Sequence, residues 1–198
     1  MYIRSLGILL LIFVCNCLPA QPLIDSLRLF NKISSFELLD AGQQKKARLD
    51  IDGKPLSLFI FLSPECPLCQ NYTKTINGLS KKFGPQLNLF GIVPGNAYTA
   101  KEVTGFANKY QATFPIFIDK KQQLTHYLKA TVTPQAILLD NQGNLVYSGA
   151  IDDWVQGLGK KRLNVNEHYV QDAIEQSLKP ELVKIKTTKA FGCKINDY

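Results

Sequence analysis

The sequence predicts one α/β domain built on a central, mixed five-stranded sheet flanked by helices. Apolar residues make up 45% of the 198 positions, enough for a packed core. Near-continuous apolar runs at 56–62, 87–93 and 114–119 read as strands covered on both faces. Segments with helical apolar spacing separate these runs, and alternating units of this kind imply parallel strands.

The chain opens with a segment that is set apart from the fold. Arg4 gives one positive charge, and residues 6–18 are almost wholly apolar. That run is short for a membrane span and suits the core of a signal peptide, with cleavage after Ala20. An uncleaved anchor, or lipidation at Cys15 or Cys17, is the alternative. Residues 21–179 then form the domain, and residues 180–198 form a C-terminal extension. Without the signal, three of the five cysteines remain and the net charge of +7 falls by one. The lysines are scattered and no basic stripe is interleaved with aromatics, so no nucleic-acid partner is expected. An exported protein with no stable membrane span after cleavage, periplasmic or secreted, is the expected product.

The elements follow in order. Residues 21–35 carry helical spacing at Leu23, Ile24 and Leu27. The stretches FELLD and ARLDID read as a peripheral N-terminal hairpin. After strand 56–62, a helix is expected from near Cys66 to just before Gly84, with Ile76, Leu79 and Phe83 on its apolar face. Strand 87–93 follows, then a helix over 99–110 that Thr99 can cap, strand 114–119 and a short helix over 122–130. Pro134 precedes strand 135–139. Asn141, Gly143 and Asn144 make a turn, and 145–151 is the returning strand. A last helix spans 168–178 and ends before Pro180.

The chemistry concentrates at Phe59–Tyr72, FIFLSPECPLCQNY. Cys66 falls at a helix start, where unpaired N–H groups and partial positive charge favour thiolate over thiol. Cys69 is about one turn further on, within reach of Cys66. Pro67 suits the first helical turn because no N–H donor is needed there. The spacing makes Cys66 the exposed, reactive thiol and Cys69 the protected, resolving one. A C-x-x-C pair next to a βαβ pattern is a redox signal, although the same pair is also half of a zinc site.

Cys66-Pro67-Leu68-Cys69, the Thr133-Pro134 step before a strand, and the element order resemble the thioredoxin-like superfamily. The likeness is to its exported redoxin, TlpA-like branch. The resemblance covers about 36–178, with residues 99–119 as the extra helix and strand of that branch. GAIDD and TKAFGCKI add a looser match. The resemblance implies a thiol–disulfide oxidoreductase with no cofactor, acting on protein thiol or disulfide substrates with an unidentified redox partner. It places nucleophilic attack on Cys66 and resolution on Cys69. It also implies a cis peptide before Pro134, with Thr133 and Pro134 facing the pair and an extended substrate. Two departures stand out. Glu65 replaces the usual tryptophan, and its negative charge is expected to raise the Cys66 pKa. Ile60 replaces the buried acid that commonly serves the second thiol.

Two rival readings share these residues. A peroxiredoxin-like peroxidase fits Ser63, three positions before Cys66, but has Phe59 where a proline is needed and requires a nearby arginine. A Sco-like copper protein needs one more residue between the cysteines and a histidine, and only His126 and His168 are present. No metal site is expected. Two further features remain. The loop 152–162, with Trp154, either shapes substrate choice or is an ordinary connection that Trp154 packs. Cys193 is the odd thiol. The tail is long enough to return across the domain at about 3.3–3.6 Å per residue. Cys193 therefore either joins the pair as a third redox thiol or is a structural cysteine.

Overall fold

The computed structural model describes residues 32–157, 159–179 and 181–196. The expected signal segment and residues 21–31 of the first expected helix lie outside the described residues, while residues 32–35 are helical. Among the described residues, eleven strands and four further helices follow. The strands are β1 (Leu38–Asp40), β2 (Lys45–Ala47), β3 (Leu56–Phe61), β4 (Leu87–Pro94), β5 (Ile116–Asp119), β6 (Val132–Thr133), β7 (Gln135–Asp140), β8 (Leu145–Gly149), β9 (Val155–Gly157), β10 (Lys160–Lys161) and β11 (Cys193–Lys194). The helices are α1 (Pro67–Phe83), α2 (Ala100–Lys109), α3 (Gln123–Tyr127) and α4 (Tyr169–Ser177).

The main sheet has seven strands in the order β2-β1-β5-β4-β3-β7-β8. Its middle is the expected five-stranded mixed sheet: β3–β4 and β4–β5 are parallel, β3–β7 and β7–β8 antiparallel. The N-terminal hairpin extends this sheet by pairing β1 with β5. Its second arm is Lys45–Ala47, earlier in the chain than ARLDID. The tight turn after Asp40, whose carboxylate accepts the Gln43 N–H at 2.9 Å, sets the register Asp40↔Lys45. Leu49 and Ile51 alternate as a strand would, yet they are spent on covering the sheet face, each at most 2% exposed.

The alternation along β3 divides the core. Leu58 and Ile60 face one cluster with the inner sides of α1, α2 and α4. Phe59 and Phe61 face a second cluster closed by Ile33, Phe36, Leu49, Ile51 and Leu124. Every residue of β3 is buried, as a central strand covered on both faces requires. Helix α1 buries Cys69, Tyr72, Thr73, Ile76, Leu79 and Phe83, one stripe at helical spacing. Lys54 Nζ donates to Gly84 O at 2.7 Å and so satisfies a carbonyl at its C-terminal end. Thr99 caps α2 with a full capping box: Glu102 N–H donates to the Thr99 hydroxyl, and the Glu102 carboxylate accepts the Thr99 N–H. Among the described residues no helix is long and apolar enough to cross a membrane.

The two helices differ in what they rest on, which gives a stability test. Ile76→Ala removes a fully buried side chain from the stripe of α1 and is expected to cost about 2–5 kcal/mol. Thr99→Ala removes only the cap of α2 and is expected to cost about 0.5–2 kcal/mol. Urea unfolding of both variants checks the order.

Candidate functional site

β3 ends at Phe61, and the turn that follows aims the chain back over the sheet. Cys66 N–H donates to Ser63 O at 3.1 Å and closes this turn. Cys66 is the N-cap residue of α1, with extended backbone and Pro67 in the first turn. One turn on, Cys69 lies on the buried stripe, and its sulfur accepts the Ser63 N–H at 3.4 Å. Across from the pair, the Thr133–Pro134 peptide is cis. Pairing of Phe61 with Gln135 brings this step to the end of β3, and Cys66 Sγ lies 3.2 Å from Thr133 O. The Gln135 side chain holds the segment in place by accepting the Thr131 N–H at 2.9 Å.

A third sulfur completes the site. After α4 the tail runs beside β8, where Ser148 N–H donates to Lys186 O and Thr188 N–H donates to Ser148 O, at 3.0 and 3.1 Å. It then crosses to the redox end as β11, pairing antiparallel with β6 in the register Cys193↔Thr133. Gly192 makes this approach possible: an added Cβ there would overlap the Thr133 carbonyl. Cys193 Sγ lies 2.8 Å from Cys66 Sγ. The expectation that Cys66 would be the exposed member of the pair is therefore corrected. It is 1% exposed and Cys69 0%, because the tail covers them, and Cys193 is the sulfur that faces solvent.

The cluster favours charge on Cys66 over the other two thiols. Cys66 is pulled down from an ordinary 9.0 to about 4 by the hydrogen bond from Cys69, helped by Cys193 and opposed by burial. Cys69 is pushed well up by burial and by its contact with Cys66. Cys193 rises to about 11, first through burial and then through its bond to Cys66. The helix N-terminus adds to the preference for charge on Cys66. Glu65 was expected to raise this pKa, but it is lowered, by the hydrogen bond from Cys69, with burial opposing and Cys193 adding to it. The Glu65 carboxylate instead accepts the Tyr98 hydroxyl at 3.4 Å.

The profile of the AhpC/TSA family matches residues 30–148, more than half of the chain. The chain belongs to the AhpC/TSA family. A curated relative, Thioredoxin-like protein YneN of Bacillus subtilis, is 29% identical over 109 residues. The match covers 54% of this chain and 63% of that protein. A hypothetical protein from Sinorhizobium meliloti 1021 superposes with a TM-score of 0.71 at 27% identity, covering 81% of this chain and 89% of that one. A thioredoxin-like protein from Aeropyrum pernix superposes at 0.51 with 16% identity, over 63% of this chain and 86% of its own, and so shares the fold. The fold is thioredoxin-like, and membership of this redoxin family supports a redox activity.

Within the AhpC/TSA family, peroxide chemistry asks for residues that this site spends otherwise. Ser63 offers its N–H to Cys69, and its hydroxyl lies 3.0 Å from the Tyr98 hydroxyl. Phe59 is fully buried in the core. The strongest influences on Cys66 are Cys69, burial and Cys193, none of them an arginine. Arg162 is paired with Asp153 at 2.9 Å. For the copper reading, His126 is an exposed residue of α3 and His168 the N-cap of α4. Among the described residues no cluster of three or more His, Cys, Asp or Glu side chains is arranged to hold a metal ion.

Trp154 packs against the buried stripe of α1. Its ring meets that of Tyr72 edge-on at 5.4 Å, with Lys161 Nζ 4.6 Å above it. Asp152 accepts both the Tyr72 hydroxyl at 2.6 Å and the Trp154 N–H at 3.0 Å. The loop 152–162 is thus a small β9–β10 hairpin fastened to the cysteine-bearing helix. Ile60 is buried in β3. Tyr98, Gln135 and Gly192 were not singled out from sequence as site residues. For Gly192 the signal was its place beside the odd cysteine, but Gln135 and Tyr98 gave none.

The reduced protein should show this charge distribution in its pH dependence. Cys66 titrates lower folded than unfolded, so between about 4 and 9.0 the unfolded chain binds the extra proton and stability rises with pH. The contribution is complete above that window and gone below it. Cys66→Ala should flatten this slope, measured as denaturation midpoints under reducing conditions across the window. An unchanged slope places the thiolate elsewhere.

Proposed function

We propose that the protein is an exported thiol–disulfide oxidoreductase in which Cys66 is the nucleophile and Cys69 the resolving thiol. The observation that carries this reading is the placement of Cys66 at the N-cap of α1, with Cys69 one turn on in the buried stripe and the cis Thr133–Pro134 step opposite. In a substrate disulfide, the Cys66 thiolate attacks one sulfur and forms a mixed disulfide, and the other substrate sulfur leaves and takes a proton. Cys69 then loses its proton and attacks Cys66, releasing the second substrate thiol and closing Cys66–Cys69. Two electrons pass from the pair to the substrate, and the reverse sequence oxidises a substrate dithiol. Thr133 and Pro134 form the wall that an incoming sulfur faces. Export rests on the apolar leader at 6–18, and the electron partner is a second protein or small thiol.

A redox titration of the Cys193→Ser protein tests the pair by itself. It should show one two-electron transition, and peptide mapping should assign it to a Cys66–Cys69 disulfide. If no such bond forms, the reading falls. The potential gives the direction: a value near about −270 mV marks a reductant and one near about −120 mV an oxidant. Cys66→Ser should lower turnover about a hundredfold or more.

Trp154 enters this reading through the hairpin beside α1, a surface that a folded substrate can touch and a small disulfide cannot. Trp154→Ala should raise KM several-fold for a protein disulfide and less for a small one. Equal changes for both would reduce Trp154 to a packing anchor.

A further inference from the structure

We infer that Cys193 is a third redox thiol, through which external thiols and disulfides exchange with the buried Cys66–Cys69 pair. The inference rests on the dithiol reading above and places Cys193 between the external sulfur and Cys66, so that with the tail seated the mixed disulfide with the external partner forms on Cys193 instead of directly on Cys66. β11 sits where an extended substrate strand would pair with β6, and it presents Cys193 to Cys66 as a substrate would present its cysteine. The segment is held at several points. The Thr133 hydroxyl donates to Cys193 O at 3.5 Å, Ile195 N–H donates to Thr131 O at 2.9 Å, and Gln122 Nε2 donates to Asn196 O at 2.9 Å. Upstream, Thr188 Oγ1 accepts the Ala150 N–H at 2.9 Å. A sulfur held this way is in near-attack position, and such placement is worth orders of magnitude in rate.

Access points to the same assignment. The two cysteines of the pair are closed off, while Cys193 is exposed and lines a cleft of about 190 Å³ with Ser63, Asn96, Tyr98 and Gln122. This is below the roughly 300–1,000 Å³ of pockets that hold drug-sized ligands. The cleft suits one cysteinyl group and its amide.

The chemistry balances. Starting from the Cys66–Cys69 disulfide, Cys193 gives up its proton and attacks Cys66. A Cys66–Cys193 bond forms, the Cys66–Cys69 bond breaks, and Cys69 takes a proton. One thiolate of an external dithiol then attacks the exposed Cys193 sulfur and expels Cys66, the better leaving group because its thiol is the more acidic. The second external thiol closes the external disulfide and releases Cys193 as a thiol. The external dithiol is oxidised by two electrons and the protein is reduced by two, with the reverse path serving an external disulfide. Oxidation of the pair also removes the Cys66 charge that helps to hold the proton on Cys193, so Cys193 gains nucleophilicity when an attack is needed.

The experiment follows the full chain with glutathione and with a cysteine-containing peptide as probes. Cys69→Ser should accumulate an intramolecular Cys66–Cys193 disulfide, seen by mass spectrometry of unreduced peptides and independent of protein concentration. Cys193→Ser should still form Cys66–Cys69 at equilibrium but exchange with either probe at least about tenfold more slowly. Gly192→Ala, which displaces the strap while keeping its thiol, should slow exchange as well. Wild-type rates in Cys193→Ser, or no Cys66–Cys193 bond in Cys69→Ser, overturn the inference. Faster exchange in Gly192→Ala overturns it too, because the tail would then be a lid. Loss of Cys66–Cys69 in Cys193→Ser would instead strike the underlying dithiol reading.

Discussion

The redox centre depends on how β3 is paired. This strand sits between parallel β4 and antiparallel β7, so the end that launches α1 meets the start of β7. The register Phe61↔Gln135 puts Pro134 just beyond that junction, opposite Cys66. A slip by one residue would turn the Phe59 and Phe61 set to the opposite face, where the helices pack. The burial of β3 on both sides is therefore what fixes the cysteine pair against the cis peptide.

On that frame the site solves an electrostatic problem. A thiolate shut away from water is costly unless donors replace the solvent. Here the donors are the other two thiols, which keep their protons first because they are buried and then because of their contact with Cys66. The charge and its counterparts thus belong to one cluster assembled from a helix start, a helix turn and the chain's tail. Removing any one sulfur changes the acidity of those that remain.

Much of this was legible in the sequence because it is local. The apolar run of β3, the spacing of Ile76, Leu79 and Phe83, the Thr99 cap and the cysteine pair each act over a few residues. Their elements appear within a residue or two of the expected bounds. The hairpin's second arm was misplaced because Leu49 and Ile51 alternate whether they pair with a strand or cover a sheet, and the pattern does not distinguish the two. The tail's path was open for a similar reason. Cys193 meets Thr133 across 60 positions, and what permits the contact is the missing side chain of Gly192, whose role appears only once β6 is beside it. The exposure of Cys66 was misjudged for the same cause, since its cover comes from a distant segment.

The course of the tail also bears on the edges of the main sheet. β8 is an outer strand of the main sheet, and an outer strand offers unpaired N–H and C=O groups to any neighbour. Residues 186–188 occupy that margin at Ser148, and Gly149 leaves the space that Thr188 fills. The opposite margin, β2, is three residues long and carries exposed Lys45 and Lys46, which repel another strand by charge and shortness. One rim of the sheet is thus guarded by composition and the other by the same stretch of chain that delivers Cys193. Loss of the C-terminal segment would bare an edge able to pair with another strand, so the segment that delivers Cys193 also covers that edge.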